Sequence, residues 1–362
     1  MAADDFSLIR KLMAREALSR AESRGLVRSL LETDAEGYEL LAFSVASQTK
    51  GETAEEMLGF LDAMADLTGP YALDVPDNLT DIASAGASGL RKLNVSTLSA
   101  LVVGEPELPV AKQSFFRVTG MLGSADAARA VGLEVPRATL PQIERALKTV
   151  GVAFYSPLFV SPELKHLVGF GMMLAAKRVS VPTPFHMLAP IFTPLRLRYR
   201  MFGLNRLNSF ELLTELFRGL GYESAFAVRG EDGLDEASLA GPTRVRGFRG
   251  GEEIDLRLAP EDVGLRTVPQ EALQPASAEE GVGDFLRIVE GAERGPKRDL
   301  VALNSGLALY MTGRAESIAA GVELAIGRLE SGEVAAKLTA LVELMGDPAV
   351  LQQARREALA RR

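Results

Sequence analysis

The first 67 residues carry apolar side chains at the spacing of amphipathic helices. The pattern runs from Phe6 to about Leu67 and predicts three or four consecutive helices with no strand between them. The apolar positions that define it include Leu8, Leu12, Ala17, Val27, Leu30, Leu31, Leu40, Leu41 and Phe43.

A capping signal and two prolines mark limits within and after this helical region. Thr53 and Glu56 stand three residues apart in the pattern of a capping box, which predicts that a helix begins there. Pro70 and Pro76 interrupt the helical pattern, so we expect the region to end near residue 77.

Beyond this boundary the pattern changes to short β-like runs, each followed by a turn and a helical segment. These runs are Asp81–Ser84, Leu108–Lys112, Val152–Tyr155 and Ala225–Val228. Strands that alternate with helices in this way are typical of an α/β sheet with helices on its faces.

Three later segments complete the predicted elements. Glu163–Lys177 is apolar and helical, Glu253–Leu258 is β-like, and Asp299–Arg362 is helical and amphipathic. The predicted fold class is therefore α/β, with a mixed central sheet flanked by helices and a smaller all-helical domain.

The domain boundaries follow from where these patterns change. We expect a helical domain over residues 1–77, joined by the helical segment 160–190. The α/β domain is then expected to comprise residues 78–159 and 191–362.

Composition and charge exclude several classes of protein. Lys and Arg number 40 and Asp and Glu number 48, so the net charge of −8 excludes a generally basic surface for nucleic acid or anionic lipid. The chain has no cysteine, which excludes disulfides and thiolate chemistry. There is no secretory signal pattern, and the apolar stretch Leu167–Ala176 is far shorter than the roughly 20 residues that span a bilayer. We therefore expect a cytoplasmic protein without membrane contact.

Two adjacent carboxylates form the first candidate site. Asp235 and Glu236 lie in a glycine-containing turn after a β-like run. Hard oxygen ligands on a short loop, together with substrate phosphates, are a usual way for a protein to hold Mg²⁺. A solvated acidic turn is the alternative, because Asp-Gly is a common turn dipeptide.

A predicted helix start supplies a candidate phosphate site. Asn94, Ser96 and Thr97 precede and begin an apolar helical segment, where unpaired amides and the helix dipole attract anions. Simple helix capping by Ser or Thr is the alternative.

Two further polar positions complete this set of candidates. Lys112 ends a predicted strand, and Ser124 lies in the turn Gly123–Asp126 that opens a helix. Alone they indicate an edge charge and a cap. With a phosphate site and a carboxylate pair, they supply the parts that bind a magnesium pyrophosphate.

In their order and spacing, these segments resemble the anthranilate phosphoribosyltransferase family over nearly the whole chain. The matching stretches are Lys50–Met64, Asn94–Thr97, Gly123–Asp126, Glu231–Glu236, Gly241–Val245, Pro260–Leu265, Gly295–Tyr310 and Ser317–Gly332. The resemblance implies a helical domain that forms a homodimer and an α/β domain of the type shared with pyrimidine nucleoside phosphorylases.

The resemblance also implies a reaction, in which Mg²⁺ assists the transfer of a phosphoribosyl group from 5-phosphoribosyl pyrophosphate to an amine. The implied metal ligands are Asp235, Glu236 and Ser96. The implied substrate-binding residues are Gly86, Ser88, Asn94, Ser96, Thr97, Lys112 and Ser124. The candidate acceptor-pocket residues are Phe115, Arg178, which lies near the position of a family arginine, and His186, which stands at a family asparagine. A structural histidine is the alternative for His186.

Three segments depart from the family pattern, and one of them is the helical stretch His166–Leu174, which is apolar where the family carries an arginine that grips the acceptor carboxylate. The glycine-rich loop expected as GTGGD is Ser84–Ser88 here, and it lacks two glycines and the acid. The motif expected as KHGN followed by Arg is Lys112–Phe116, with phenylalanine at the asparagine and arginine positions. Phe115 and Phe116 either line an apolar acceptor pocket or fill space left by polar contacts.

An alternating arginine motif leaves a second function open. In a strand, the arginines of Leu195–Arg200 would all project from one face, as in a solvated edge strand or a nucleic-acid patch. The leading hypothesis is a cytoplasmic, dimeric, Mg²⁺-dependent phosphoribosyltransferase whose acceptor is not necessarily anthranilate. The alternative is a non-catalytic paralogue that binds nucleic acid or another anion through this strand.

Overall fold

The computed structural model describes residues 3–34, 36–86, 90–116, 122–177, 183–206 and 209–360. The chain divides into two compact units. The first comprises Met1–Ala72, Pro157–Arg196 and Glu211–Gly221, and the second comprises Leu73–Ser156, Leu197–Phe210 and Tyr222–Arg362.

Helices dominate the described residues. They are α1 (Ala3–Met13), α2 (Arg20–Thr33), α3 (Tyr38–Lys50), α4 (Ala54–Thr68), α5 (Val95–Val103), α6 (Ser124–Ala130), α7 (Leu140–Thr149), α8 (Pro157–Val160), α9 (Lys165–Ala176), α10 (Pro184–Leu188), α11 (Phe210–Gly219), α12 (Ala278–Val289), α13 (Pro296–Met311), α14 (Ile318–Glu330), α15 (Glu333–Met345) and α16 (Pro348–Ala360). Within the described ranges, none of them is both long enough and apolar enough to cross a membrane.

The first unit is helical and packs tightly around α2 and α4. A Cβ added at Gly59 would lie 2.5 Å from the main-chain oxygen of Arg20, so the two helix backbones are in close contact. The predicted capping box is confirmed, because Thr53 and Glu56 cap the start of α4 reciprocally. Glu56 also accepts a hydrogen bond from the buried Leu18 N–H, so this cap links α4 to the segment before α2.

The second unit contains the strands of the described residues. These are β1 (Thr80–Ser84), β2 (Val110–Gln113), β3 (Val152–Tyr155), β4 (Tyr199–Gly203), β5 (Ser224–Gly230), β6 (Thr243–Arg249) and β7 (Glu252–Leu258). They form one sheet in the order β3-β2-β1-β4-β5-β6-β7. The first five pair in parallel, whereas β6 and β7 are antiparallel to their neighbours. The predicted mixed α/β sheet with a helical domain is confirmed.

The predicted arginine strand is wrong. Strand β4 begins at Tyr199, so Arg196 and Arg198 lie outside it and are exposed. Arg200 lies inside the strand, fully buried against Asp81 of β1. The three arginines therefore share no exposed face, and the observation that favoured nucleic-acid binding is lost.

The order of the strands indicates where a ligand is expected to bind in the second unit. The chain leaves β1 towards β2 and β3 on one side, while β4 and β5 lie on the other. In open α/β sheets, ligands bind at the carboxyl ends of the strands where this direction reverses. Here that position is the end of β1 at Ser84 and the end of β4 at Gly203.

Candidate active site at the carboxyl ends of the parallel strands

The carboxylate loop, residues 231–240, follows β5 at this edge of the sheet. Asp235 is fully buried and Glu236 is 5% exposed. The interpretation of this segment as a solvated acidic turn is therefore wrong. Buried carboxylates require compensating charges or hydrogen-bond donors, and the surrounding elements supply them.

Helix α13 holds the carboxylate loop in place. The side-chain oxygen of Asn304 accepts a hydrogen bond from the Ala237 N–H at 2.9 Å, and its amide donates to the Ala237 oxygen at 2.9 Å. Asp232 accepts a further bond from the Ser238 hydroxyl at 2.8 Å. The loop is thus fixed by its own side chains and by a helix from the C-terminal part of the chain.

Lys92 neutralises the carboxylate pair. Its Nζ lies 2.7 Å from Asp235 Oδ2 and 3.6 Å from Glu236 Oε2, with the Ser84 hydroxyl at 3.3 Å. Burial on its own lowers the pKa of Lys92, but the two carboxylates outweigh burial and raise it above the usual value. The sequence prediction missed this residue, although it stands two positions before the predicted phosphate site.

The predicted phosphate site at the start of α5 binds a carboxylate of the protein itself. The Ser96 N–H donates to Glu236 Oε1 at 3.0 Å, which places an anion at the positive end of the helix. Burial raises the pKa of Glu236 to about 7, although the charge of Lys92 acts against this increase.

The side chains around this helix start do not cap it. Asn94 donates to the Leu122 oxygen at 3.3 Å rather than to the helix. The Thr97 hydroxyl is buried and has no hydrogen-bond partner within the part of the chain that the structure describes. Simple capping by Ser96 or Thr97 is therefore not what the structure shows.

The remaining part of the altered glycine-rich loop contacts the same carboxylates. The Gly86 N–H donates to Asp235 Oδ2 at 2.8 Å, and the Gly86 oxygen accepts from the Asn205 side chain at 3.1 Å. Gly86 has a φ of +67°, a conformation that favours glycine. Ser88 lies outside the described residues.

Lys112 belongs to a buried cluster of charges below the site. Its side chain is 2% exposed, and its Nζ donates to the Gln113 main-chain oxygen. Burial lowers the pKa of Lys112 to about 8, while the charge of Asp81 opposes this shift and that of Arg200 adds to it. In this conformation Lys112 acts on a bound anion only through its electric field.

The predicted acceptor residues are only partly described. Phe115 is half-buried, and its N–H donates to the Ser124 hydroxyl at 3.0 Å, so Ser124 fixes the turn before α6. Arg178 lies outside the described residues. His186 lies in α10, but its side chain is not among those described.

The polar groups around the carboxylate loop match a divalent metal poorly. The predicted metal ligands Asp235, Glu236 and Ser96 lie close together, and Ser96 contributes its N–H to Glu236. Over the described ranges, no group of three or more His, Cys, Asp and Glu side chains is placed to hold a metal ion. Mg²⁺ binds oxygen at about 2.0–2.1 Å, so an ion on Asp235 Oδ2 would lie close to the Lys92 ammonium. The carboxylate pair does not fit a divalent metal while Lys92 occupies this position.

Comparisons with known proteins decide the family. A family model described as "Glycosyl transferase family, a/b domain" matches residues 76–335, and one described as "Glycosyl transferase family, helical bundle domain" matches residues 6–68. An anthranilate phosphoribosyltransferase from Exiguobacterium sibiricum is 32% identical over 346 residues, covering 95% of this chain and 99% of the relative. The chain belongs to the anthranilate phosphoribosyltransferase family.

Solved structures of this family share the fold. The anthranilate phosphoribosyltransferase of Thermus thermophilus has a TM-score of 0.83 at 29% identity, covering 93% of this chain and 98% of the other. The Saccharomyces cerevisiae enzyme, solved in complex with 5-phosphoribosyl pyrophosphate and Mg, has a TM-score of 0.82 at 19% identity, covering 95% and 98%. At that identity the yeast structure supports the fold alone.

Proposed function

We propose that this member of the anthranilate phosphoribosyltransferase family transfers a phosphoribosyl group from 5-phosphoribosyl pyrophosphate to an amine-type acceptor. The observation that carries the proposal is the contact between Glu236 and the start of α5, where Glu236 Oε1 lies 3.0 Å from the Ser96 nitrogen. It brings two segments with the family pattern, far apart in sequence, to the strand ends where α/β folds bind ligands.

The proposed reaction joins the acceptor nitrogen to C1 of the ribose while the bond from C1 to the pyrophosphate oxygen breaks. The nitrogen then loses a proton, and pyrophosphate leaves. Positive charge develops on the ribose ring, so catalysis depends on positioning and electrostatics. The buried carboxylates of Asp235 and Glu236 and the ammonium groups of Lys92 and Lys112 shape that field.

We also propose which residues bind the phosphoribosyl donor, 5-phosphoribosyl pyrophosphate. Gly86, Ser96 and Lys92 contact the carboxylate loop, and Asn94 and Thr97 lie beside Ser96 at the start of α5. Magnesium belongs to this proposal as an ion held by the donor, because Mg²⁺ in proteins is commonly bound by substrate phosphates. No role of Asp235 or Glu236 as its ligands is required.

The acceptor is proposed to be an aromatic amine that is not necessarily anthranilate. Phe115 and Phe116 are both half-buried near the start of α6, and the guanidinium of Arg129 lies 5.4 Å from the ring centre of Phe116. A stacked arginine beside two phenylalanines suits a flat, anionic aromatic molecule. These contacts support an acceptor pocket but do not select one amine.

A homodimer through the helical domain is also proposed. The first unit exposes large apolar side chains on α1, α3 and α9, with Met13 70% exposed, Tyr38 67% exposed and Met172 69% exposed. Exposed apolar surface of this kind is typical of protein interfaces. Sedimentation velocity at micromolar protein concentration tests the proposed dimer. The cytoplasmic location is a separate point and stays a prediction.

Calorimetric titration with 5-phosphoribosyl pyrophosphate in excess Mg²⁺ tests the proposed function. We expect saturable binding by the wild type and at least about tenfold weaker binding by Asp235→Asn. If donor binds, loss of anthranilate fluorescence then tests the first acceptor. Failure of the wild type to bind donor at millimolar concentration would overturn the proposal.

A further inference from the structure

We propose that Lys92 is a built-in cation that replaces a divalent metal at the Asp235–Glu236 pair. The inference rests on the transferase function proposed above and concerns how that site neutralises its own acidic residues. It assigns to one lysine the charge that a metal ion would otherwise supply.

The geometry of Lys92 places its ammonium where a shared cation would lie. Nζ is 2.7 Å from Asp235 Oδ2 and 3.6 Å from Glu236 Oε2, so one group contacts both carboxylates. The side chain of Lys92 is 23% exposed, whereas both acids are almost fully buried. Part of the Lys92 side chain therefore reaches solvent, whereas the two carboxylates that it contacts do not.

Two backbone N–H groups also donate to the carboxylate pair. Asp235 Oδ2 accepts a second hydrogen bond from the Gly86 N–H, and Glu236 Oε1 accepts one from the Ser96 N–H. A divalent ion bound to Oδ2 would have to displace the ammonium, because two cations a few ångströms apart repel strongly at a partly buried site. The positive charge that balances the two carboxylates therefore belongs to a side chain of the protein.

Titration with MnCl₂ in the absence of donor tests the proposal, with the electron paramagnetic resonance signal of free Mn²⁺ as the measure of binding. Lys92→Met removes the ammonium and keeps an unbranched apolar side chain that is one atom shorter. We expect this variant to bind one Mn²⁺ per chain at least about tenfold more tightly than the wild type, because a repelling charge is lost. Lys92→Met combined with Asp235→Asn is expected to lose that site.

Two control variants show whether the effect on Mn²⁺ binding depends on a positive charge at position 92 in particular. Lys92→Arg keeps a cation at the same place and is expected to bind no more Mn²⁺ than the wild type. Lys148→Met instead removes a surface ammonium of α7 that pairs with Asp74 and Glu144. It is expected to leave Mn²⁺ binding within about threefold of the wild type.

The proposal is overturned if Lys92→Met gains no Mn²⁺ binding while circular dichroism shows it folded. Lys92→Gln provides a second neutral side chain if Lys92→Met does not fold. Comparison of the wild type with Asp235→Asn also decides the matter, because wild-type Mn²⁺ binding that this variant abolishes would show a metal at the carboxylates despite Lys92. The Mn²⁺ titrations are made without 5-phosphoribosyl pyrophosphate. If the protein fails to bind that donor, the transferase function is overturned but the outcome of the Mn²⁺ titrations is unaffected.

Discussion

The backbone of Asp235 crosses the end of β4 at Gly203, where an added Cβ would lie 1.9 Å from the Asp235 main-chain oxygen. The Cβ of Ser84 on the neighbouring strand is also only 2.9 Å from that position. The carboxylate loop therefore lies directly on the strand ends, and glycine is needed for this contact.

Gly203→Ala is predicted to displace the carboxylate loop. Because the new methyl group meets backbone atoms, we expect a loss of about 1–3 kcal/mol in the free energy of unfolding. Urea unfolding of the wild type and the variant measures it. Gly327→Ala is the matched control, since Gly327 is an exposed residue of α14 with no atom within 4 Å of the added Cβ. An equal loss in both variants would contradict the close contact.

Asn304→Ala is predicted to loosen the loop from α13. The variant leaves the buried N–H and oxygen of Ala237 without their Asn304 partners, which costs about 1–3 kcal/mol. Amide hydrogen exchange of residues 231–240 should accelerate accordingly. Thr312→Val serves as control, because the Thr312 hydroxyl donates to the Ala308 and Leu309 oxygens of the same helix. Unchanged protection of the loop in Asn304→Ala would show that other contacts hold it.

Arg200→Met is predicted to be far more damaging than Arg198→Met. Arg200 and Asp81 are both fully buried, and Arg200 Nη1 lies 3.1 Å from Asp81 Oδ2. Removing the arginine leaves the buried carboxylate without its cation, at a cost of about 3–5 kcal/mol in the free energy of unfolding. Arg198 and Glu223 are each 43% exposed, and their pair contributes about 1 kcal/mol or less. Denaturant unfolding compares the two variants. Equal losses would mean that Arg200 is not confined to the sheet interior.

Lys112→Met is predicted to change how stability depends on pH. Burial lowers the pKa of Lys112 to about 8 from an ordinary 10.5, so between these values the unfolded chain holds a proton that the folded chain has released. Wild-type stability therefore rises with pH across this window on account of Lys112. The variant should be more stable than the wild type below pH 8, by on the order of 1–3 kcal/mol, and the difference should shrink towards pH 10.5.

Unfolding in urea at intervals from pH 7 to pH 10.5 measures this difference. Asp81, Arg200, Glu236 and Lys92, whose charges act on Lys112 in the wild type, are present in both proteins. The comparison therefore isolates the effect of the lysine itself. A difference that stays constant with pH would show that Lys112 keeps its proton throughout the range.

Patterns confined to one segment predicted most of the fold. Helical spacing and the Thr53–Glu56 capping box located the N-terminal helices, and short apolar runs located β1, β2, β3 and β5. Such signals are local, because they depend on periodicity and on caps within a few residues. The position of Asp235 and Glu236 after β5 followed from the same kind of signal.

The partners of the site residues could not be predicted in this way. Lys92 and Asp235 are 143 residues apart in the chain, and only the folded sheet brings them together. Arg200 fitted a period-two pattern, but the pattern did not show that the strand begins at Tyr199 or that Asp81 lies opposite. A charged residue within a predicted strand, such as Asp81, was the available signal for a buried pair.

Pyrophosphate release tests the central claim most directly. A coupled assay would follow pyrophosphate formed from 5-phosphoribosyl pyrophosphate in the presence of anthranilate, ring-substituted anthranilates or 4-aminobenzoate. We predict release that matches consumption of one of these amines mole for mole and that falls by at least about a hundredfold in Asp235→Asn. Donor that binds but yields no pyrophosphate with any of these amines would contradict the claim that this chain is a phosphoribosyltransferase for aromatic amines.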